Sequence, residues 1–334
     1  MIPDKVRKIL KKQHYEIVGK NSAVQICHWT KKSLREEGVC WKEKFYGIKS
    51  HRCCQFSPSV MWCENQCLHC WRPIEMNLGT DLGEIDEPEE IIKGVINARK
   101  KLLMGFKSNK KTSARKFKES LEPTLFTMSL SGEPTLYSKI SGLIKEIKKR
   151  KAVSFLVTNG LNPEILKKLA EEKNFPTQIT VSTNTPNEKL FNSWHCSSKK
   201  NAWKKFNDTL KLLKSLKGRT RRVIRLTLVK EGDSKEKFKE ISNMKDEHIL
   251  EYAVLIRKAE PDFIHVKGFK SLGYSRQRMG YSKQPFYDEV LEFAKKLAKE
   301  LKSEKYKILA KDELSCVVLI GKDKKMMKIK KKEG

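Results

Sequence analysis

The sequence predicts an α/β fold in which parallel strands alternate with helices. Five short, mainly apolar segments follow one another along the chain, and an amphipathic helical segment comes after each of them. Segments of this kind are typical of strands that are buried on both faces of a parallel sheet. A sixth strand is expected just before a cysteine-rich loop. Six strands are too few for a closed eight-stranded barrel, so a partial barrel and an open doubly wound sheet remain as alternatives.

The predicted elements have a regular order along the chain. Residues 3–18 predict a short helix with Pro3 at its first position, where proline is tolerated, whereas residues 21–73 are irregular, aromatic and rich in cysteine. Residues 87–106 predict a helix because acidic residues occupy its first turn and apolar residues recur at helical spacing. The strand and helix pairs that follow are 124–130 with 136–150, 152–158 with 162–172, 177–183 with 201–216, 222–229 with 247–259, and 262–269 with 287–301.

This pattern divides the chain into three regions. An N-terminal helix and extension occupies residues 1–55, the strand–helix series occupies residues 56–302, and C-terminal strands with a basic tail occupy residues 303–334. The tail is either a solvated terminus or a contact with nucleic acid.

The net charge and the hydropathy of the chain indicate which kinds of partner and which location to expect. Among 334 residues, 71 Lys and Arg stand against 40 Asp and Glu, which gives a net charge of +31. Because the basic residues are spread along the chain rather than gathered on one amphipathic helix, nucleic acid is favoured over a membrane surface as the partner. The charged N-terminus lacks the apolar core of a signal peptide, and no apolar run reaches the roughly 18 residues of a membrane span. The sequence therefore predicts a cytoplasmic protein.

The distribution of cysteines points to a bound inorganic group. Of nine cysteines, seven lie between Cys27 and Cys70. Disulfides are rare in a reducing compartment, so metal or iron–sulfur binding is the expected use of such a cluster. The remaining two, Cys196 and Cys316, are expected to be ordinary packed thiols.

The segment "MWCENQCLHCWRP" places Cys63, Cys67 and Cys70 close together. A structural zinc site usually takes four ligands as two pairs, and Cys67 and Cys70 could form one of them. The second pair would have to come from Cys53 and Cys54, which are adjacent and poorly placed to bind one metal together. His69, inside the triplet, could be a ligand, but a histidine in this position is expected to face solvent. A [4Fe–4S] cluster normally takes four cysteines, so three would leave one iron open to a substrate. Zinc and iron–sulfur chemistry therefore both remain candidates on the spacing alone.

The spacing Cys63-x3-Cys67-x2-Cys70 resembles the signature of the radical S-adenosylmethionine (SAM) superfamily. The resemblance implies a [4Fe–4S] cluster on these cysteines, whose open iron binds the amino and carboxylate groups of S-adenosyl-L-methionine. It also implies a partial (β/α)6 TIM-like barrel of the radical SAM type, in which the cysteine loop follows the first strand.

Residues at the ends of later strands match what this superfamily needs to bind SAM. Gly132 and Glu133 resemble its glycine/glutamate element, in which glycine admits a close ligand and glutamate accepts from the SAM ammonium. Each of the candidates also has an ordinary alternative as a turn, cap or ion-pair residue. The cofactor-binding candidates are Gly132, Glu133, Asn159, Ser182, Asn184 and Arg225.

A second cysteine triplet predicts an auxiliary [4Fe–4S] cluster. Twelve residues separate Cys27 from Cys40, and twelve more separate Cys40 from Cys53. A loop wrapped around an inorganic nucleus can bring such positions together. Cys54 remains an alternative to Cys53, and three buried free cysteines are the simpler alternative to a cluster.

Four blocks of sequence resemble the tRNA 4-demethylwyosine synthase family of the wybutosine pathway. These blocks are residues 40–73, 131–137, 223–230 and 261–279. The resemblance implies a radical SAM lyase that condenses 1-methylguanosine, 3′ to the anticodon of tRNA-Phe, with pyruvate to form the tricyclic base 4-demethylwyosine. Because only some twenty residues precede the cysteine region, we expect an external electron donor, flavodoxin or ferredoxin, in place of a fused flavodoxin-like domain. We expect the chain to act as a monomer.

The implied reaction requires a group that activates pyruvate. A lysine could bind the keto carbon as a Schiff base, and Lys42, two residues after Cys40, is the catalytic candidate, with Lys44 as its rival. The open iron of the auxiliary cluster could instead chelate pyruvate as a Lewis acid. Planar side chains are expected to hold the displaced base, and the candidates are Phe45, Tyr46, Arg276 and Arg278.

Two other functions remain open on the sequence. Another radical SAM enzyme with an auxiliary cluster would act on a peptide or small molecule and would ignore tRNA. A zinc-bearing RNA-binding module would contain zinc in place of iron.

Overall fold

A single ten-stranded sheet forms the frame of the structure, a computed structural model that describes residues 1–233, 238 and 240–329. The strands are β1 (Tyr15–Val18), β2 (Ser22–Gln25), β3 (Cys53–Ser57), β4 (Leu125–Met128), β5 (Val153–Thr158), β6 (Gln178–Ser182), β7 (Arg221–Leu228), β8 (Phe263–Gly268), β9 (Lys307–Asp312) and β10 (Val317–Gly321). The helices are α1 (Asp4–Lys12), α2 (His28–Leu34), α3 (Trp41–Tyr46), α4 (Pro88–Met104), α5 (Ala114–Ser120), α6 (Ile140–Lys149), α7 (Pro163–Glu171), α8 (Glu188–His195), α9 (Ala202–Ser215), α10 (Asp246–Ala259), α11 (Gly273–Met279) and α12 (Tyr287–Glu300).

The six central strands, β3 to β8, run parallel and follow the order of the chain. Each of the five predicted strand–helix pairs is present, and the sixth strand, β3, lies just before the cysteine loop. A doubly wound sheet reverses its strand order at a switch point, so that alternative is wrong. The α/β class is confirmed, and a curvature of the sheet into a partial barrel stays a prediction.

Antiparallel strands extend the sheet at both edges. On one side β2 pairs with β3 and β1 with β2, and on the other side β10 pairs with β8 and β9 with β10. The predicted C-terminal strands are therefore present, while residues 330–334 of the predicted basic tail lie outside the described residues. Strands from all three predicted regions share this one sheet, and the division at residues 55 and 302 stays a proposal.

The helix predicted for residues 3–18 is wrong in its second half. α1 ends at Lys12, His14 adopts a left-handed backbone conformation with a φ of 60°, and β1 begins at Tyr15. The β1 sequence is rich in residues that favour strands, and pairing with β2 overrides the helical pattern. Pro3 is the extended N-cap residue before α1 instead of its first helical residue.

The sequence did not predict several of the short helices. α5, α8 and α11 were not predicted, and α2 and α3 lie within the segment predicted to be irregular. These helices are six to eight residues long, which is too short for a helical repeat of apolar residues to stand out. In the described part of the chain, no helix combines the length and the apolar character needed to cross a bilayer.

The two faces of the parallel sheet differ in character. Side chains alternate along a strand, so Cys54 and Phe56 of β3 lie in the core beneath the helices while Cys53 points to the opposite face. On that opposite face, Phe45 and Tyr46 of α3 are buried against the early residues of the strands. The same face becomes polar toward the carboxyl ends of the strands, where the site forms.

A buried arginine ties the cysteine-rich extension to the sheet. Arg99 of α4 is 1% exposed and donates to the carbonyl oxygens of Cys53 at 3.1 Å, His51 at 2.7 Å and Ser120. A guanidinium buried this deeply is tolerated because protein acceptors replace its lost water. Arg99 thereby fixes the start of β3 and, with it, the position of Cys53.

Candidate active site

A cavity of about 670 Å³ opens at the carboxyl ends of the parallel strands. Its wall contains the three cysteines of the loop that follows β3, together with residues at or just beyond the ends of β4 to β8. The carboxyl ends of parallel strands converge at one edge of a sheet, and this edge carries the functional site in folds of this type.

The cysteine loop presents Cys63, Cys67 and Cys70 to this cavity. Backbone hydrogen bonds fix the loop, since the Cys63 amide donates to the Gly79 carbonyl at 2.9 Å and the Leu68 amide donates to the Trp194 carbonyl at 3.0 Å. Burial raises the pKa of all three thiols. Three thiols that face one cavity from a single short loop suit the sulfur ligands of an iron–sulfur cluster.

Helix α11 holds the other side of the loop. The guanidinium of Arg278 donates to the carbonyl oxygens of Cys70 and of Leu68, the latter at 3.2 Å, and forms an ion pair with Glu75 at 2.7 Å. Its side chain is only 12% exposed. Arg278 is therefore a structural clamp on the loop, and its predicted role as a planar surface for an RNA base is wrong.

Gly132 brings the end of β4 into direct contact with the cysteine loop. Its φ is +71°, and a Cβ atom there would lie 2.0 Å from the Ser59 carbonyl oxygen and 2.6 Å from that of Trp62. The next residue strengthens the contact, because the Glu133 amide donates to the Trp62 carbonyl at 2.7 Å. Only glycine fits this close approach of two backbones.

The side chain of Glu133 is buried in the wall of the cavity and already has protein donors. It accepts from the Thr135 amide at 3.1 Å, the Thr135 hydroxyl at 2.6 Å, the Thr158 hydroxyl at 2.7 Å and the Asn159 amide at 2.7 Å. Burial, and then the nearby carboxylate of Glu64, raises the pKa of Glu133 to about 7. Glu133 thus joins the ends of β4 and β5, and its role as an acceptor for the SAM ammonium stays a prediction.

The other predicted SAM-binding residues all line the same cavity. The side-chain nitrogen of Asn159 lies 2.9 Å from a carboxylate oxygen of Glu64 and 3.9 Å from the Cys63 sulfur. The guanidinium of Arg225 donates to the Ser182 hydroxyl at 3.0 Å. The strand register explains this last pair, because β6 and β7 place the two residues side by side. The structure therefore gathers the predicted set, and the role of each member stays a prediction.

Cys67, His69 and His195 form the group with metal-binding potential in the described residues, since their ligand atoms lie within 4.8 Å of one another. The Trp194 indole donates to Nδ1 of His69 at 2.5 Å, so Nε2 of the neutral ring carries the proton and donates it to the side-chain amide of Asn184, 3.3 Å away, once that amide is turned to present its oxygen. Neither nitrogen of His69 then offers a free lone pair to zinc. His69 is turned inward instead of facing solvent, and burial lowers its pKa well below the usual value.

The second cysteine triplet also comes together. Cys27, Cys40 and Cys53 line a small cavity of about 10 Å³ that contains Lys42, whose ammonium nitrogen lies 3.8 Å from the Cys53 sulfur. Burial lowers the pKa of Lys42, but the thiols of Cys53, Cys40 and Cys27 outweigh it and raise this pKa overall. Cys54 faces the core beneath the helices, so the geometry favours Cys53 as the third member. Cys27 lines both cavities, which places the two triplets next to each other.

The two rival lysines have different surroundings. Lys42 is next to the second triplet, whereas Lys44 forms an ion pair with Asp312 of β9. The geometry therefore favours Lys42 over Lys44 as the reactive amine. The function of either side chain stays a prediction.

Some expectations about exposure are wrong. Phe45 and Tyr46 are 2% and 0% exposed, so neither can stack on an RNA base, whereas Arg276 is exposed. Cys196 is also exposed, in contrast to Cys316, which is packed as predicted.

The sequence reasoning missed two exposed apolar residues at the mouth of the cavity. Trp71 is 41% exposed and Leu272 is 60% exposed, and both line the opening. The Arg72 guanidinium packs 3.0 Å from the centre of the Trp71 ring. The position of Trp71 directly after Cys70 was the available signal, since a residue next to a ligand must lie near the site.

Comparisons with known proteins agree with these features. Residues 58–244 match the family described as the radical SAM superfamily, and residues 258–322 match the family described as wyosine base formation. The first match contains the cysteine loop and the second contains α11, which clamps it.

Curated relatives match over nearly the whole chain. A protein of Pyrococcus abyssi named S-adenosyl-L-methionine-dependent tRNA 4-demethylwyosine synthase is 43% identical, over 96% of this chain and 90% of its own length. A protein of the same name from Methanocaldococcus jannaschii is 34% identical, over 96% of each chain. The mouse protein of this name is 35% identical, but the matching part is only 42% of its length.

Two solved structures are similar over nearly their full length. One is described as TYW1 with a lysine–pyruvate adduct bound, and it matches with a TM-score of 0.81 and 33% identity, covering 98% of both chains. The other is a crystal structure of archaeal TYW1, with a TM-score of 0.74 and 31% identity, covering 98% of this chain and 99% of the other.

The contact at Gly132 leads to a testable prediction. In Gly132→Ala the new methyl group would meet the carbonyl oxygens of Ser59 and Trp62, so the cysteine loop must shift away from the strand ends. A displacement on the order of 1 Å is expected to lower SAM cleavage about 100-fold. The measurement is the formation of methionine by anaerobically reconstituted protein, together with its iron content.

Gly105→Ala is the matched control. Gly105 has a φ of −61°, and, apart from its chain neighbours and its own helix backbone, no described residue has an atom within 4 Å of an added Cβ, so this variant should behave like the unaltered protein. Equal rates for the two variants would show that the close approach at Gly132 does not position the loop.

Proposed function

The chain belongs to the radical SAM superfamily and to its tRNA 4-demethylwyosine synthase family, and we propose that it condenses pyruvate with 1-methylguanosine in tRNA-Phe. Family membership makes it an S-adenosyl-L-methionine-dependent enzyme of wyosine formation. The choice of 1-methylguanosine, 3′ to the anticodon, and of pyruvate as the two substrates is the proposal.

The observation that carries this proposal is that the two cysteine triplets lie next to each other, with Lys42 beside the second of them. Cys63, Cys67 and Cys70 face the large cavity, while Cys27 lines both that cavity and the small one that holds Lys42. A reaction that joins a methyl carbon to a keto acid needs a radical-generating site and a keto-acid site within reach of each other. The lysine–pyruvate adduct in the description of a structural neighbour supports the role of Lys42.

The proposal assigns an iron–sulfur cluster to each of the two cysteine triplets. Membership of the family implies SAM and one [4Fe–4S] cluster, which Cys63, Cys67 and Cys70 would hold. We assign a second [4Fe–4S] cluster to the triplet of Cys27, Cys40 and Cys53, whose thiols share one cavity. When bound, the first cluster supplies the electron that cleaves SAM to methionine and a 5′-deoxyadenosyl radical.

Lys42 supplies the covalent chemistry that the chain itself can perform. Its amine attacks the keto carbon of pyruvate, water leaves, and a protonated imine forms. The imine would hold the three-carbon unit in place while the 5′-deoxyadenosyl radical takes a hydrogen atom from the methyl group of 1-methylguanosine, and the resulting carbon radical would add to the imine carbon. The bond from that carbon to the carboxylate then breaks, and the carboxylate leaves with the unpaired electron, which restores the imine. The exocyclic amine of the guanine displaces the Lys42 amine from this imine as the third ring closes.

The charge and the rim of the cavity support a tRNA partner. The net charge of +31 suits a polyanion, and each phosphate contact would release counterions, so binding should weaken steeply with salt. Trp71 and Leu272 offer exposed apolar surface at the mouth, where an unstacked base would enter.

We further propose that the chain acts as a monomer and receives electrons from an external flavodoxin or ferredoxin. We also propose a cytoplasmic location, where seven clustered cysteines remain reduced.

The function is tested by product formation. Anaerobically reconstituted protein with SAM, a reductant, pyruvate and tRNA-Phe that carries 1-methylguanosine should yield 4-demethylwyosine, measured by mass spectrometry of the digested tRNA. The same tRNA with unmodified guanosine serves as the control and should yield none. Absence of the tricyclic base, with SAM cleavage intact, would favour a radical SAM enzyme that acts on another substrate.

The two adjacent cysteines of β3 provide a matched test of the second cluster. The unaltered protein should carry about eight irons, Cys53→Ala about four, and Cys54→Ala about eight, because only Cys53 faces the small cavity. Iron is measured per chain after anaerobic reconstitution. An equal loss from both variants would point to disturbed packing of β3, and no loss from Cys53→Ala would remove Cys53 from the ligand set.

The two rival lysines provide a matched test of the imine. Lys42→Arg keeps the positive charge but cannot form an imine, so reductive trapping of pyruvate should fall at least about 100-fold, to background. Lys44→Arg should trap pyruvate normally, since Lys44 is engaged with Asp312. Trapping is measured by the mass of the modified peptide after treatment with cyanoborohydride. Loss of trapping only in Lys44→Arg would reverse the assignment.

A further inference from the structure

The cavity has an unusual balance of charge. Among its described lining residues, Glu133 is the one carboxylate, while Arg225 and Lys267 present positive charge from neighbouring strands. Glu133 already accepts four hydrogen bonds from protein donors, and burial raises its pKa, so its negative charge is weakened as a partner for these cations. The cavity is therefore suited to ligands that bring their own negative charge.

Lys267 lies on the polar face of β8, close to the site of the proposed imine. It is two residues beyond His265 on this strand, and its position is paired with Thr227 of β7. Its ammonium lies 5.7 Å from the ring centre of Trp41, the residue directly before Lys42. No carboxylate lies within ion-pair distance of Lys267 in the described part of the chain.

Arg225 adds an unsatisfied donor to the same wall. One of its terminal nitrogens donates to Ser182 at 3.0 Å, but its Nε is buried and has no hydrogen-bond partner among the described residues. A buried donor without a partner costs free energy, which a bound acceptor would recover. A bound anion would therefore supply a hydrogen-bond acceptor to Arg225 and a counter-charge to Lys267.

We infer that Lys267, assisted by Arg225, binds the carboxylate of the keto acid whose ketone carbon reacts with Lys42. In an α-keto acid the carboxylate is bonded directly to the ketone carbon, so its binding site must lie next to the reactive amine. Lys267 contacts the ring of Trp41 at the start of α3, and the charge of Lys42, the next residue of that helix, acts on Lys267. This inference rests on the proposed function and adds to it the residue that distinguishes a keto acid from a neutral ketone.

The electrostatics of Lys267 agree with this role. Burial, followed by the positive charge of Arg225, lowers the pKa of Lys267 to about 8, so the charged form of its amine is destabilised. The charges of Arg225 and Lys42 lower the pKa of Lys267, whereas the sulfur atoms of Cys40 and Cys316, when ionised, would raise it. A carboxylate would offset the repulsion between the cations and stabilise the charged ammonium.

The test is reductive trapping of the keto acid on Lys42 in the anaerobically reconstituted protein. The pyruvate concentration that gives half-maximal trapping should rise about tenfold or more in Lys267→Met, since an ionic hydrogen bond is lost. Lys267→Arg should restore most of the affinity because it keeps the charge. Lys311→Met is the matched control, since Lys311 is an exposed lysine of β9 that is not among the described lining residues of the cavity, and it should behave like the unaltered protein.

A neutral analogue and SAM binding make the test specific. Pyruvamide lacks the carboxylate, so the unaltered protein should trap it less well than pyruvate, and Lys267→Met should trap both alike. The affinity for SAM, measured by equilibrium dialysis, should be the same in both proteins. Iron content and the circular dichroism spectrum show that the variant is folded, and Lys267→Gln replaces Lys267→Met if that variant does not fold.

The outcomes separate this inference from the function on which it rests. If the unaltered protein traps pyruvate and Lys267→Met does so equally well, the carboxylate site is elsewhere and the inference is overturned, while the proposed function stands. If Lys267→Met loses affinity for SAM and keeps its discrimination against pyruvamide, Lys267 serves the SAM carboxylate and the inference is again overturned. If the unaltered protein traps no pyruvate, the imine and this inference fall together.

Discussion

The close approach of Gly132 to the carbonyl oxygens of Ser59 and Trp62 sets the geometry on which the site depends. It joins the beginning of the cysteine loop to the carboxyl end of β4, and the hydrogen bond from the Glu133 amide to Trp62 extends the same contact. The carboxylate of Glu133 then holds the end of β5. These contacts hold the irregular cysteine loop firmly against the parallel sheet. A cluster-binding loop needs such support because its ligands must keep their spacing while a substrate enters beside them.

The buried arginines differ in how fully their guanidinium groups are hydrogen-bonded within the protein. Arg99 and Arg278 are satisfied by backbone carbonyl oxygens, and they fix the extension and the loop, respectively. Arg225 keeps an unpaired donor, and Lys267 lies near it without a carboxylate in the described residues. Buried cations that are fully hydrogen-bonded within the protein are structural, whereas those left short of partners are available to ligands. The same distinction separates Lys44, which is paired with Asp312, from Lys42.

Much of the fold was predictable because the long strand–helix pairs carry strong local patterns. The spacing of Cys63, Cys67 and Cys70 was equally visible, since a loop that holds one inorganic group must bring its ligands from nearby positions. Features that depend on distant residues were not predictable. Tyr15 enters a strand because β2 is there to pair with it, and Phe45 and Tyr46 are buried because they cover one face of a sheet formed by later segments. The sequence around α3 is aromatic and basic, which describes an RNA-binding surface equally well.

The adjacent residues Cys53 and Cys54 show how the strand period links fold to function. Cys54 packs in the core beneath the helices, and Cys53 reaches the small cavity beside Lys42. A shift of β3 by one residue would exchange these two environments and remove a thiol from the site. Arg99 opposes such a shift, because it binds the carbonyl oxygen of Cys53 and that of His51 just before the strand. The register of β3 is thus fixed by a structural residue that is not among the described lining residues of either cavity, and the composition of the second triplet follows from that register.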